Sequence, residues 1–135
     1  MVERQAKGSL IYVSSPHARL PFKGCIDYNT AKAGAHQLAL SAANELMWYG
    51  IRVNIVEPGW TDTPGERAWY PDAVLSREGK RLPLGRLATP EDIGRAVAFL
   101  VSDQAAYVCG AVLTVDGGAF IQGPAWGAPA RHGGE

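Results

Sequence analysis

Three short runs of apolar and β-branched residues set the architecture: 9–14 (Ser-Leu-Ile-Tyr-Val-Ser), 51–56 (Ile-Arg-Val-Asn-Ile-Val) and 111–115 (Ala-Val-Leu-Thr-Val). The first is nearly continuous rather than alternating, the pattern of a strand covered on both faces in a parallel sheet. A hairpin needs a loop of about two to five residues, whereas a parallel crossover takes about a dozen or more. The intervals here are far longer than a hairpin loop, so the order strand, helix, strand, helix, strand points to a parallel α/β sheet with flanking helices.

The intervals supply those helices. Residues 26–49 contain no proline and end at Gly50, and Ala31, Gly34, Ala35, Leu38, Ala42 and Leu46 form a small-residue stripe at helical spacing. Residues 16–25 form a loop with two prolines, and a short helix is expected around 66–79. Thr89-Pro90-Glu91-Asp92 opens another helix reaching about Ser102: Thr89 caps, Pro90 takes the first position and acidic groups fill the first turn. Residues 1–8 read as the end of a helix stopped by Gly8, which makes Met1 an internal methionine or a misplaced start. Beyond Gly123 the chain is rich in Gly, Pro and Ala and is expected to be poorly ordered. The domain is accordingly set at 1–122 and the tail at 123–135.

Thirteen basic residues balance thirteen acidic ones, with no basic run. That argues against nucleic acid or an anionic membrane as the partner, since both call for clustered positive charge. No apolar run is long enough to span a bilayer, and the expectation is a cytoplasmic protein. Cys25 and Cys109 stand in no metal-type or disulfide spacing; both are expected to be buried or half-buried thiols, with no metal site.

Chemistry concentrates early in the chain. Tyr28 and Lys32 lie four residues apart on the long helix and so share a face. An ammonium beside a phenol favours its ionised form, which suits the phenol to acid–base work. Ser15 follows the first strand at the carboxyl edge, where ligands bind in open α/β sheets. Its hydroxyl can hydrogen-bond a substrate oxygen. Alone, Tyr-x-x-x-Lys describes any solvated helix surface and Ser-Ser any turn.

The context is more specific. Gly8-Ser9-Leu10-Ile11-Tyr12-Val13-Ser14-Ser15 followed by Tyr28-Asn29-Thr30-Ala31-Lys32 resembles the active-site stretch of short-chain dehydrogenase/reductases. Gly50-Ile51-Arg52-Val53-Asn54 and Pro58-Gly59-Trp60-Thr61-Asp62-Thr63 resemble that family's next strand and nicotinamide-side loop. Leu84-Gly85-Arg86, Thr89-Pro90-Glu91-Asp92-Ile93, Ala98-Phe99-Leu100 and Val115-Asp116-Gly117-Gly118 continue the resemblance in order.

The resemblance implies the C-terminal, catalytic half of a Rossmann-type doubly wound sheet and an NAD- or NADP-dependent oxidoreductase acting on an alcohol or carbonyl substrate. Tyr28 would exchange the proton, Lys32 would favour its phenolate and bind the nicotinamide ribose, and Ser15 would orient the carbonyl, with Ser14 as fallback. Backbone groups at Pro58, Gly59 and Thr61, with the Thr63 hydroxyl, would hold the nicotinamide. Trp60, Trp69 and Tyr70 fall in the substrate-covering region or simply pack there. His17 and His36 are expected on a loop and a helix surface, Arg52 and Asn54 as strand supports, and Asp116 in a turn. Homo-oligomers are usual in the family. Its glycine-rich pyrophosphate turn, Gly-x-x-x-Gly-x-Gly after a strand, does not occur in these residues, and without the family's earlier strands Leu10 to Ser14 is expected to leave an unpaired apolar edge. A catalytically inactive fragment, acting only by association with dehydrogenase subunits, is therefore the alternative.

Overall fold

The computed structural model describes residues 1–121. In chain order they form β1 (Gly8–Val13), α1 (Ile26–Leu46), β2 (Ile51–Pro58), α2 (Pro64–Trp69), α3 (Asp72–Gly79), α4 (Pro90–Val101) and β3 (Val112–Val115), with short 3-10 turns after Ser15, α1 and α4. The sheet runs β1-β2-β3 and is parallel throughout. The expected α/β architecture with three strands and flanking helices is present. The tail beyond Gly123, and the boundary placed before it, lie outside the described residues.

β2 is the core strand: Ile51, Val53, Asn54, Ile55, Val56 and Glu57 are all buried. Asn54 makes the next connection rigid, donating from Nδ2 to the Val108 carbonyl at 2.9 Å and accepting from the Ala111 amide at 2.9 Å. Arg52 reaches the carbonyls of Leu100, Ser102 and Val108, closing the end of α4 onto the sheet. β1 departs from expectation, for Leu10 and Val13 are 42% and 47% exposed. Its faces are therefore not both covered, while its place at the sheet edge, paired among the described residues only with β2, is the one expected without the family's earlier strands.

α1 also turns a different face inward. His36, Ala39 and Ala43 are its buried residues, while Leu38 of the expected stripe is 70% exposed. Alanines lie all round this helix, so apolarity did not select a face; a polar contact from His36 to β1's end did. After α1 a 3-10 turn (Met47–Tyr49) is closed by Gly50 in the left-handed region, a stop that glycine adopts without a Cβ penalty.

Two boundaries are corrected. Residues 1–7 make turns, with Gln5 at φ +50°, and Gly8 already belongs to β1 rather than ending a helix. The single helix expected around 66–79 is two, because Tyr70 takes the extended backbone that a following proline imposes and Pro71 restarts the chain.

α4 begins with a full capping box: the Asp92 amide bonds Thr89 Oγ1, and the Thr89 amide bonds the Asp92 carboxylate. The Arg86 hydrogen bond, then the Thr89 backbone amide, holds the Asp92 carboxyl far below the ordinary aspartate value of 3.8. A depressed folded-state value means stabilisation that is present above the unfolded value and is lost as pH falls through the folded one. Arg86 is half exposed and Asp92 still reaches solvent, so the effect is modest and screened by salt. Asp92→Asn is expected to flatten the loss of stability below about pH 4, measured by urea denaturation across an acid series; an unchanged acid limb would refute the assignment.

Candidate active site

Because β1 and β2 pair in parallel from Gly8↔Ile51 to Val13↔Val56, their carboxyl ends finish side by side. The ladder continues one step further through the Ser14 amide, which donates to the Val56 carbonyl at 2.8 Å. Successive side chains of extended backbone point to opposite sides. Ser14 is committed to α1, sharing a 3.1 Å hydrogen bond with His36 Nδ1. Ser15 instead caps the 3-10 turn Pro16–Ala18, its Oγ accepting from the His17 amide at 3.4 Å. Among the described residues the Ser15 hydroxyl hydrogen has no acceptor, so it remains available to donate.

Tyr28 stands in the first turn of α1 and Lys32 one turn later. Lys32 Nζ donates to the Val13 carbonyl at 3.4 Å and lies 5.6 Å from the ring centroids of both Tyr12 and Tyr28. The ammonium is thus held between the end of β1 and the Tyr28 ring. Tyr28 itself is 46% exposed, open to a ligand on its outer side. Its inner side meets His17 edge-on, with centroids 4.9 Å apart. Asn29 fixes that histidine: its amide donates to the Phe22 carbonyl, so its Oδ1 accepts from His17 Nδ1 at 2.6 Å. His17 is therefore a half-buried part of the site wall.

The loop after β2 is tied down along its length. The Gly59 amide donates to the Val115 carbonyl at 3.0 Å, and a Cβ at 59 would sit 2.7 Å from Asp116 Cα. Thr61 donates its hydroxyl to the Gly59 carbonyl, and Thr63 caps α2 by accepting from the Glu66 amide. Trp60 donates from its indole to Glu66 and packs edge-on against Tyr70, whereas Trp69 is 83% exposed and covers nothing among the described residues. Asp116 turns the chain after β3 by accepting from the Gly118 and Phe120 amides.

Three features escaped sequence reasoning. His36 is buried rather than on the helix surface, and Cys109 is exposed whereas Cys25 is half-buried. Glu57 is fully buried and held by Arg19 through two Nε hydrogen bonds and a close Nη2 contact. The available signal was a charge inside an apolar strand run, which demands a buried partner. Among the described residues no three potential metal ligands cluster, and no helix is long and apolar enough to cross a membrane.

Residues 1–119 match the family described as enoyl-(acyl carrier protein) reductase. A solved structure described as a short chain dehydrogenase/reductase family protein superposes with a TM-score of 0.78 at 38% identity, over 90% of this chain and 48% of that one. This chain belongs to the short-chain dehydrogenase/reductase family. It is 45% identical to cis-4-hydroxycyclohexanecarboxylate dehydrogenase of Sinomonas cyclohexanicum over 82% of this chain and 44% of that protein. Against 3-oxoacyl-[acyl-carrier-protein] reductase FabG of Thermotoga maritima it is 36% identical, over 87% and 48%. A putative 2-deoxy-D-gluconate 3-dehydrogenase from Agrobacterium tumefaciens, solved with bound NADP, superposes with a TM-score of 0.81 at 34% identity, over 89% and 49%. The chain spans about half the length of the relatives it matches.

Gly59→Ala forces a methyl group against the Asp116 backbone. It is expected to destabilise the chain by about 1–3 kcal/mol in chemical denaturation; a variant as stable as the parent would show that the Gly59–Asp116 approach is not tight.

Proposed function

We propose that this chain supplies the proton-handling end of an NAD- or NADP-dependent oxidoreductase acting on an alcohol or carbonyl substrate, with Tyr28 as acid–base, Lys32 as its electrostatic partner and Ser15 as the donor to the reacting oxygen. The observation that carries the reading is the Lys32 ammonium held between the Val13 carbonyl and the Tyr28 ring, at the sheet edge that the buried Ser15 follows two residues after β1. A cation there stabilises the phenolate and favours proton removal from a bound hydroxyl. The Ser15 hydroxyl can donate to the same oxygen and stabilise charge that develops on it.

The donors on this edge fit the nicotinamide end of the cofactor. Lys32 has hydrogens beyond the one it gives Val13, suited to ribose hydroxyls, and Pro58 and Gly59 continue β2 beyond the same edge. The Thr61 hydroxyl is spent on the Gly59 carbonyl, whereas the Thr63 hydroxyl only accepts in its cap and is proposed to donate to the carboxamide. When bound, nicotinamide supplies or accepts the hydride. No glycine run of the pyrophosphate-binding type occurs in the sequence. Relatives named as dehydrogenases of hydroxycyclohexanecarboxylate and 3β-hydroxysteroids support an alcohol or ketone as substrate. The working form is proposed to be a cytoplasmic homo-oligomer.

A second reading is an inactive fragment that associates with dehydrogenase subunits. The exposed Leu10 and Val13 on the unpaired edge of β1 favour it, since such edges recruit another strand.

Two measurements test the first reading. In the full-length polypeptide carrying these residues, Tyr28→Phe is expected to lower kcat by about a hundredfold or more while NAD(P)H binding persists; retained turnover removes Tyr28 from the chemistry. Fluorescence titration of the 135-residue chain with NADH and NADPH is expected to show no saturable binding in the micromolar range, and micromolar binding would contradict the need for a separate phosphate-binding half.

A further inference from the structure

Glu57 is the penultimate residue of β2, directly before Pro58 and Gly59, and it is fully buried. Its carboxylate is gripped by Arg19, 38 residues earlier in the chain, through hydrogen bonds from Nε at 3.0 and 3.1 Å and a closer contact from Nη2. Arg19 closes the turn that Ser15 opens: the Ala18 amide donates to the Ser15 carbonyl, and the Arg19 and Leu20 amides donate to the Pro16 carbonyl. On the other side His36 Nδ1 lies 4.0 Å from Glu57 and 3.1 Å from Ser14 Oγ. Both contacts fall on one ring nitrogen, whereas a hydrolytic triad uses opposite nitrogens of the histidine. The group is no triad.

What it joins is specific. Glu57 adjoins the Pro58–Gly59 turn, Arg19 anchors the Ser15 turn, and His36 sits one turn beyond Lys32 on α1. We infer that the Arg19–Glu57 pair is a positioning clamp that holds the Ser15 turn in register with the Pro58–Gly59 turn. A buried carboxylate without its cation is strongly unfavourable, so the Ser15 turn is held wherever the guanidinium must reach. A bidentate guanidinium also fixes orientation, which a lysine ammonium does not. Asp116, next to Gly59, adds a second negative charge facing Arg19. The Arg19 side chain is 55% exposed, so its place is reachable from solvent once it is removed.

The test is chemical rescue of Arg19→Ala in the 135-residue chain. Hydrogen exchange at the Ala18 and Leu20 amides is expected to quicken by about tenfold or more, with Ala111 unchanged. Guanidinium at roughly 20–50 mM is expected to restore it through the bidentate pair, and methylammonium is not. Should Arg19→Ala fail to fold, Arg19→Leu with Glu57→Gln leaves no unpaired charge and is expected to show the same fast exchange without a guanidinium response. Wild-type exchange in the variant that folds, or equal rescue of Arg19→Ala by methylammonium, would overturn the clamp. In the full-length polypeptide the same Arg19→Ala change is expected to lower kcat by about tenfold with the cofactor KM little altered, again recovered by guanidinium; an unchanged kcat would overturn the clamp's role in positioning. The kinetic arm rests on the functional reading above: absence of hydride transfer in the wild type would sink that reading, and the exchange arm would still decide the clamp.

Discussion

The parallel register between β1 and β2 is the constraint on which the rest depends. It ends both strands at one edge, so the residue after each strand becomes a neighbour of the other although the two are far apart in sequence. α1 provides the crossover between the strands, and its first turns lie back over that edge with Tyr28 and Lys32. A one-residue slip would reverse which serine faces the helix, exchanging the roles of Ser14 and Ser15. The His36–Ser14 hydrogen bond and the Arg19–Glu57 pair both oppose that slip, each holding a buried polar side chain against its partner.

Much of this was legible in the sequence because strands and caps have local signatures. The three apolar runs, the Gly50 stop and the Thr89-Pro90-Glu91-Asp92 opening each follow from one or two residues acting on their own backbone. What was not legible depends on partners distant in the chain. An alanine-rich helix gives no hydrophobic contrast between its faces, so the inward turn of His36, Ala39 and Ala43 is set by tertiary contact. Glu57 in an apolar run announces a buried charge but does not name Arg19. The exposure of β1 is likewise a property of its neighbours, not of Leu10 or Val13.

For the candidate site, the Tyr28 and Lys32 spacing alone described an ordinary helix surface. The structure adds that Lys32 is pinned to the end of β1 rather than free in solvent. It also adds His17 and Asn29 as a wall beside Tyr28, a feature with no local signature because the two residues meet across a loop.

The proposed chemistry requires Ser15 and Tyr28 to act on one substrate oxygen. A kinetic cycle of Ser15→Ala, Tyr28→Phe and the double variant, assayed in the full-length polypeptide, tests it most directly. Groups that act as a unit give strongly non-additive losses, so the double variant is expected to turn over no more slowly than Tyr28→Phe within about threefold. Losses that multiply independently would contradict the claim.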